Sequence, residues 1–305
     1  MSLIIRKNTL FLLLSYFISS SYSLLPAPVL ACSTCMAGDP TLSLMGTEKT
    51  YTGRLRLSAD YLQRQERIGI AGFNQTELTE RRLTIGLSYA WNDRLNLAIR
   101  LPFVDKNLEY ANLATQDSQA IGDIELSTKF TLTPETTDMH RHLWGLIAGI
   151  RLPTAPEQTD NAGRSLDIDV QTGTGAVVPQ LGGWYGYYAF PYFFYSSVVL
   201  HYAFEGFEDF QAGEALVLTF AGQYALNHAV ALQAGIDARW SAKNQFSDID
   251  DPDSGGFIAF FSPKVMYTIT EDVILNLGVQ IPMIKQLNGE QTERSIWQAG
   301  IVYDF

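Results

Sequence analysis

From residue 51 onward the sequence alternates apolar and polar residues with a period of two, in repeated segments of about ten residues. That pattern gives a strand two unlike faces and leaves few folds open to the chain. In Val230–Trp240, Val230, Leu232, Ala234, Ile236, Ala238 and Trp240 fall on one face, and Ala231, Gln233, Gly235, Asp237 and Arg239 on the other. Leu83–Trp91 sets Leu83, Ile85, Leu87, Tyr89 and Trp91 against Thr84, Gly86, Ser88 and Ala90. Leu95–Phe103 and Ile124–Leu132 repeat the division, the latter with Asp123, Glu125, Ser127 and Lys129 on its polar face.

Such segments number about twelve, near 51–64, 79–92, 95–109, 120–133, 142–154, 173–185, 192–204, 214–226, 229–241, 256–269, 272–284 and 294–305. Most have the length of a tilted membrane crossing, about 9–11 residues, rather than that of a soluble strand. The connections alternate in length. Asn92-Asp93-Arg94, Asn227-His228 and Thr270-Glu271-Asp272 are tight, whereas 65–78, 110–119, 155–172, 242–255 and 285–293 are long and polar. An even strand number with short turns at one end and long loops at the other predicts a transmembrane antiparallel up-and-down β-barrel, all-β, with both termini on the periplasmic side. The connection at 134–141 is longer than that pattern asks.

The final strand alternates Trp297, Ala299, Ile301, Tyr303 and Phe305 with Gln298, Gly300, Val302 and Asp304. Trp297, Ile301, Tyr303 and Phe305 resemble the terminal signature read by the barrel-assembly machinery of outer membranes, which makes that machinery an expected partner. Tyr61, Tyr89, Trp91, Tyr224, Trp240, Tyr267, Trp297 and Tyr303 fall on outward faces near strand ends, where interfacial girdles belong. Composition agrees: charged residues make up only 17% and aromatics 12%. After the first stretch no run of about eighteen uncharged apolar residues occurs, so no membrane helix is expected. A net charge of −11 argues against nucleic acid as a partner.

Residues 1–31 read as an export signal: Arg6 and Lys7 before the apolar Thr9–Phe17 stretch, then Val29-Leu30-Ala31 before Cys32. Residues 32–50 then form a periplasmic N-terminal segment and 51–305 the barrel. Cys32 and Cys35 are the only cysteines. In an oxidising compartment a disulfide between them is the first reading. Lipidation of Cys32 is the second, although Leu30 suits it poorly. Soft-metal binding is the third, with Met36 and Met45 as thioether donors to an incomplete ligand set.

Parity of the strands places Arg54, Arg56, Asp60, Arg100, Asp123, Glu125, Lys129, Arg151, Asp237, Arg239, Lys264 and Asp304 inside. Buried charges must be hydrated or paired, so the interior is either a watery path or a network of ion pairs. Eight strands are filled by their own side chains and sixteen or more leave a channel, so twelve suits a narrow pore.

Gly122-Asp123-Ile124-Glu125-Leu126 with Lys129-Phe130, then Gly149-Ile150-Arg151-Leu152-Pro153-Thr154, then Gly173-Thr174-Gly175, resemble the outer-membrane transporter-like family named for meta-pathway phenol degradation. The resemblance runs from Gly122 to the end, and Ala155 stands where the family usually has glycine after Leu-Pro-Thr. It implies a channel for small, often aromatic or hydrophobic compounds.

Other chemistry is thinner. Asp248, Asp250, Asp251 and Asp253 form an acidic loop whose carboxylates could hold a hard cation and bridge to lipopolysaccharide. Pro252 and the missing glutamate exclude an EF-hand, and a solvated loop is the plainer reading. Some twelve-stranded barrels are enzymes. His140, His142 and His228 fall at periplasmic turns, however, and His201 beside Ser196-Ser197 makes no recognised triad. We therefore expect no enzyme and no cofactor. The expected function is passive passage of small molecules across the outer membrane, through a lumen whose Arg/Lys and Asp/Glu residues set selectivity. The alternative is a non-conducting barrel scaffold whose cysteine pair engages a periplasmic redox or metal-handling partner.

Overall fold

A computed structural model describes residues 52–70, 75–133 and 142–305. The leader, the Cys32-Cys35 segment and the 134–141 connection lie outside the described residues. Twelve antiparallel strands follow one another around a closed barrel. They are β1 (Leu55–Ile68), β2 (Thr76–Ala90), β3 (Leu95–Tyr110), β4 (Thr115–Ile121 with Ile124–Thr131), β5 (His142–Leu152) and β6 (Val178–Ala189). There follow β7 (Tyr192–His201), β8 (Ala215–Ala225), β9 (Val230–Ser241), β10 (Gly256–Phe261 with Lys264–Thr270), β11 (Val273–Leu287) and β12 (Ile296–Asp304). Closure comes from β12 against β1, in a register that sets Arg56 opposite Asp304 and Gln63 opposite Trp297. A closed cylinder leaves no unpaired edge, which is what permits a sheet to cross lipid.

The outward face shows where the membrane stops. Tyr61, Leu83 and Phe103 stand side by side on β1, β2 and β3, the last row of exposed apolar residues. Two residues further out the row is Gln63, Arg81 and Asp105, and Arg81 Nη1 lies 3.9 Å from the Asp105 carboxylate. Below that line the exposed surface is apolar down to Tyr89, Trp91, Trp144, Tyr192, Tyr224, Tyr267 and Tyr303 beside the tight turns. Tyr61, Trp240 and Trp297 form part of an upper belt. Both girdles expected from the sequence are present.

Several boundaries differ from the expected ones. The strands β1, β2 and β3 run several residues above the lipid, so their loops are shorter than the hydropathy pattern suggested. The sixth strand occupies Val178–Ala189 rather than 173–185. Its first residues join a long loop instead, and the periplasmic turn falls at Phe190-Pro191. Gly182 and Gly183 both sit inside β6, and the neighbouring strand presses on the first: a Cβ at Gly182 would lie 2.9 Å from Val199 Cα. Two strands are interrupted, β4 at Gly122-Asp123 and β10 at Ser262-Pro263.

Inside, the two ends of the barrel differ. Near the tight turns Leu143, Ile147, Trp184, Tyr195, Val199, Ala221, Ala231, Met266, Ile274 and Val302 pack into one apolar cluster. Toward the loops β1 to β5 turn the charged residues Asp60, Arg64, Arg82, Arg100, Lys106, Glu125 and Arg151 inward. Above the barrel, Phe210–Gln211, Gln245–Phe246 and Ile249–Asp250 form a small three-stranded sheet from two of the external loops.

Candidate functional site: the upper lumen

Alternation along β2 to β5 turns Arg82, Arg100, Glu125 and Arg151 to the same side; register brings the last three level and sets Arg82 opposite Val104, nearer the loop end. Arg100, Glu125 and Arg151 are direct cross-strand partners on β3, β4 and β5. Arg100 Nη1 lies 3.3 Å from Glu125 Oε1, and Arg151 Nη2 lies 3.6 Å from Oε2. One buried carboxylate thus sits between two guanidiniums, the pairing that a charge inside a wall requires. One step higher, Glu80 is wholly buried and pairs with Arg64 at 2.9 Å and with Arg82. Glu66 and Glu293 approach the same Arg64 at 3.6 and 3.8 Å.

These groups border a cavity of about 910 Å³ that runs from the loop end to mid-barrel. Asp60, Arg64, Arg82, Arg100, Glu125 and Arg151 line its lower and middle parts, with Lys106, Arg239 and His201 also on its wall. None of the apolar cluster near the tight turns belongs to that lining.

The long external loop between β5 and β6, residues 153–177, folds inward. Val170 packs with Leu78 and Leu108, inward residues of the projecting ends of β2 and β3. Lys106 Nζ donates to the carbonyls of Asp169 and Gln171 at 2.9 and 2.7 Å. Gln158 N donates to Gln171 Oε1 at 2.8 Å, and Gln171 Nε2 returns a bond to Gln158 O at 2.9 Å. Asp123, at the break in β4, accepts from Ala155 N and from Thr174 N, each at 3.1 Å. Gly173 is needed there because a Cβ would stand 2.5 Å from Asp123 Oδ1. The loop is held as a fixed partial cover on the cavity. Asp169 is carried inward with it: burial, with the neighbouring Asp167 and Glu66 carboxylates, pushes its carboxyl up to about 6.

The residues expected inside do not form a single site. Asp60, Arg100, Asp123, Glu125, Arg151 and Arg239 meet at the cavity. Arg54 and Arg56 are buried at the opposite end, where Arg54 Nη2 lies 2.8 Å from Asp304 Oδ2 across the closing seam. Lys129 is buried with its ammonium 4.0 Å from the Trp184 ring centroid and 4.8 Å from that of Tyr195, below the cavity. Asp237 accepts from Thr219 Oγ1 at 3.1 Å, Ser262 Oγ at 2.5 Å and Gln280 Nε2 at 2.9 Å, which makes it a wall support. Lys264, on the lower half of β10, is likewise buried.

Arg64, Glu66, Glu80, Arg82, Lys106 and Glu293 were not expected. Arg64, Arg82 and Lys106 lie within the expected strands 51–64, 79–92 and 95–109, and the parity that places Asp60, Thr84 and Arg100 inside extends to them. In the acidic loop, Asp250 Oδ1 accepts from Gln245 Nε2, Asp251 Oδ1 from Asp253 N and Asp253 Oδ1 from Glu290 N. Those carboxylates organise turns, and no metal-holding group of three His, Cys, Asp or Glu occurs among the described residues. Trp297, Ile301, Tyr303 and Phe305 all face outward, and Phe305 N donates to Leu55 O at 2.9 Å.

No protein-family model matches the chain, and no curated protein matches it. Solved structures do. An outer-membrane channel from Pseudomonas putida F1 superposes with a TM-score of 0.69 at 14% identity, over 89% of this chain and 100% of that one. The β domain of the Bordetella autotransporter BrkA gives 0.50 at 11%, over 82% of this chain and 99% of that one. At such identities the likeness is one of fold. Together with the closed barrel and its apolar band between two aromatic girdles, it makes the chain an outer-membrane β-barrel built on the architecture of a solved outer-membrane channel.

Proposed function

We propose that this barrel is a passive channel for small molecules, and that it is not an enzyme. The observation that supports the reading is the cavity of about 910 Å³, lined by charged side chains from β1 to β5 and reached from the loop end. Hydrated charges with room between them suit a solute path, whereas a stability-driven interior would close around its ion pairs. The resemblance of Gly122–Phe130, Gly149–Thr154 and Gly173–Gly175 to the phenol meta-pathway family points to small apolar or aromatic solutes. The inward-folded 153–177 loop acts as the constriction, and Arg82, Arg100, Glu125 and Arg151 as the charged ring. Planar-bilayer recording tests this: discrete current steps from refolded protein support it.

A second reading has one observation in its favour. The apolar cluster around Ile147, Trp184, Tyr195 and Met266 fills the periplasmic half of the lumen, as in barrels that serve as scaffolds. In that case residues 32–50, released by cleavage after residue 31, engage a periplasmic partner through Cys32 and Cys35. Intact mass of the mature protein separates a disulfide, a lipid and free thiols. Insertion by the barrel-assembly machinery, and contact of the loop end with lipopolysaccharide, belong to either reading.

A further inference from the structure

We propose that the cavity is a binding site for an amphiphilic monocarboxylate, an anionic head on a small apolar or aromatic body. The inference deepens the channel reading by naming its solute class, and rests on that reading only in placing the cavity on the solute's path.

Two arcs of wall carry it. On the first, β2 to β5, the opposite charges are not equally available. Glu80 and Glu125 are 0% and 7% exposed, whereas Arg82 and Arg151 are 42% and 38% exposed. Both carboxylates are set back in the wall, holding the guanidiniums in place, and the more exposed partner in each of these pairs is the cation. Arg100 stands level with Arg151, 20% exposed and bound to the same Glu125. Guanidinium forks held by carboxylates behind them are pre-organised for a second, incoming carboxylate, which they bind through short paired hydrogen bonds.

The second arc, β6 to β8 and the loop above it, meets the cavity mainly through small apolar side chains, with His201 at the end of β7 among them. Val178, Ala203, Ala212, Ala215 and Val217 line it. Val178 and Ala203 pack together with Ala176 as a preformed surface. A small-molecule site combines such a surface with a few convergent polar groups, within a volume of about 300–1,000 Å³. An inorganic anion would use the first arc and leave the second unfilled, and a neutral hydrocarbon would do the reverse. A compound with both parts matches both arcs.

Isothermal calorimetry of the refolded barrel in detergent, with benzoate, benzyl alcohol and acetate as probes, tests this on the unaltered protein. Benzoate should bind at least about tenfold more tightly than either of the others, since each lacks one half of the match. Equal binding of benzyl alcohol and benzoate, binding of acetate as tight as benzoate, or no benzoate binding at all would each overturn the proposal. The double variant Arg82→Gln/Arg151→Gln should lose benzoate affinity by about tenfold or more while leaving benzyl alcohol unchanged. If that variant does not fold, Val217→Asp, on the opposite arc, should weaken benzoate by repulsion, and unaltered affinity there contradicts the assignment. Failure to conduct in bilayers bears on the channel reading alone, because calorimetry needs no open pore.

Discussion

Asp123 and Thr174 are fastened across the mouth of the barrel: the Asp123 carboxylate accepts the Thr174 amide at 3.1 Å, and its other oxygen accepts Ala155 N at the same distance. One side chain at a break in β4 thereby pins both ends of the loop that covers the cavity. Asp123→Ala removes both anchors, at a cost of about 1–3 kcal/mol to the docked loop. The expected outcome is a larger and noisier single-channel conductance with an unchanged barrel. Asp123→Asn, which retains one acceptor, should fall between the two. Identical conductance in all three proteins would show that the loop does not constrict the path.

The docked loop also carries a pH dependence. Asp169 has a folded value of about 6, raised from its ordinary 3.8 chiefly by burial and then by Asp167 and Glu66. Docking therefore favours the protonated acid. That stabilisation is complete below the ordinary carboxylate value and fades as pH rises through about 6. Conductance should increase between acid and neutral pH, and Asp169→Asn should flatten the change. A conductance that decreases over the same interval would contradict the sign.

At the other end, Asp304 joins the last strand to the first through Arg54 and Arg56, which are 5% and 1% exposed. Removing a carboxylate from buried guanidiniums costs about 3 kcal/mol. Asp304→Asn should lower the urea midpoint of unfolding from lipid vesicles and slow the gel-mobility shift that reports barrel closure. Arg81→Gln, facing Asp105 on the exposed surface across 3.9 Å, should leave both unchanged.

The apolar cluster depends on a residue without a side chain. Trp184 lies against Gly145, where a Cβ would stand 2.9 Å from the indole Nε1 and run into the Phe130 carbonyl oxygen. Gly145→Ala should therefore destabilise the barrel by about 1–3 kcal/mol, read as a lower yield of refolded protein. Gly183→Ala is the control, because the nearest atom to its Cβ would be 3.5 Å away.

The fold was legible because lipid imposes one rule on every outward position. Leu83, Ile85, Leu87 and Tyr89 announce β2 without reference to any other strand. Above the lipid that rule ends: the outward row becomes Gln63, Arg81 and Asp105, and the strand ends carrying Glu66 and Leu78 merge into what reads as polar loop. Gly173-Thr174-Gly175 resembled the start of a strand, yet it is the tether to Asp123, a contact that spans 51 residues and leaves no periodic trace. Parity identifies which charges point inward. It does not separate Arg100 and Arg151, at the cavity, from Lys129 and Asp237, which are consumed by packing, because level along the axis depends on register and shear.

The central claim, that the lumen is a solute path, meets its most direct test in planar lipid bilayers containing the refolded protein, recorded with residues 32–50 present and deleted. The account predicts discrete, reproducible current steps in at least one of the two forms, altered in size by Asp123→Ala. Absence of any open state in both forms, from protein that shows the mobility shift of a closed barrel, would contradict it.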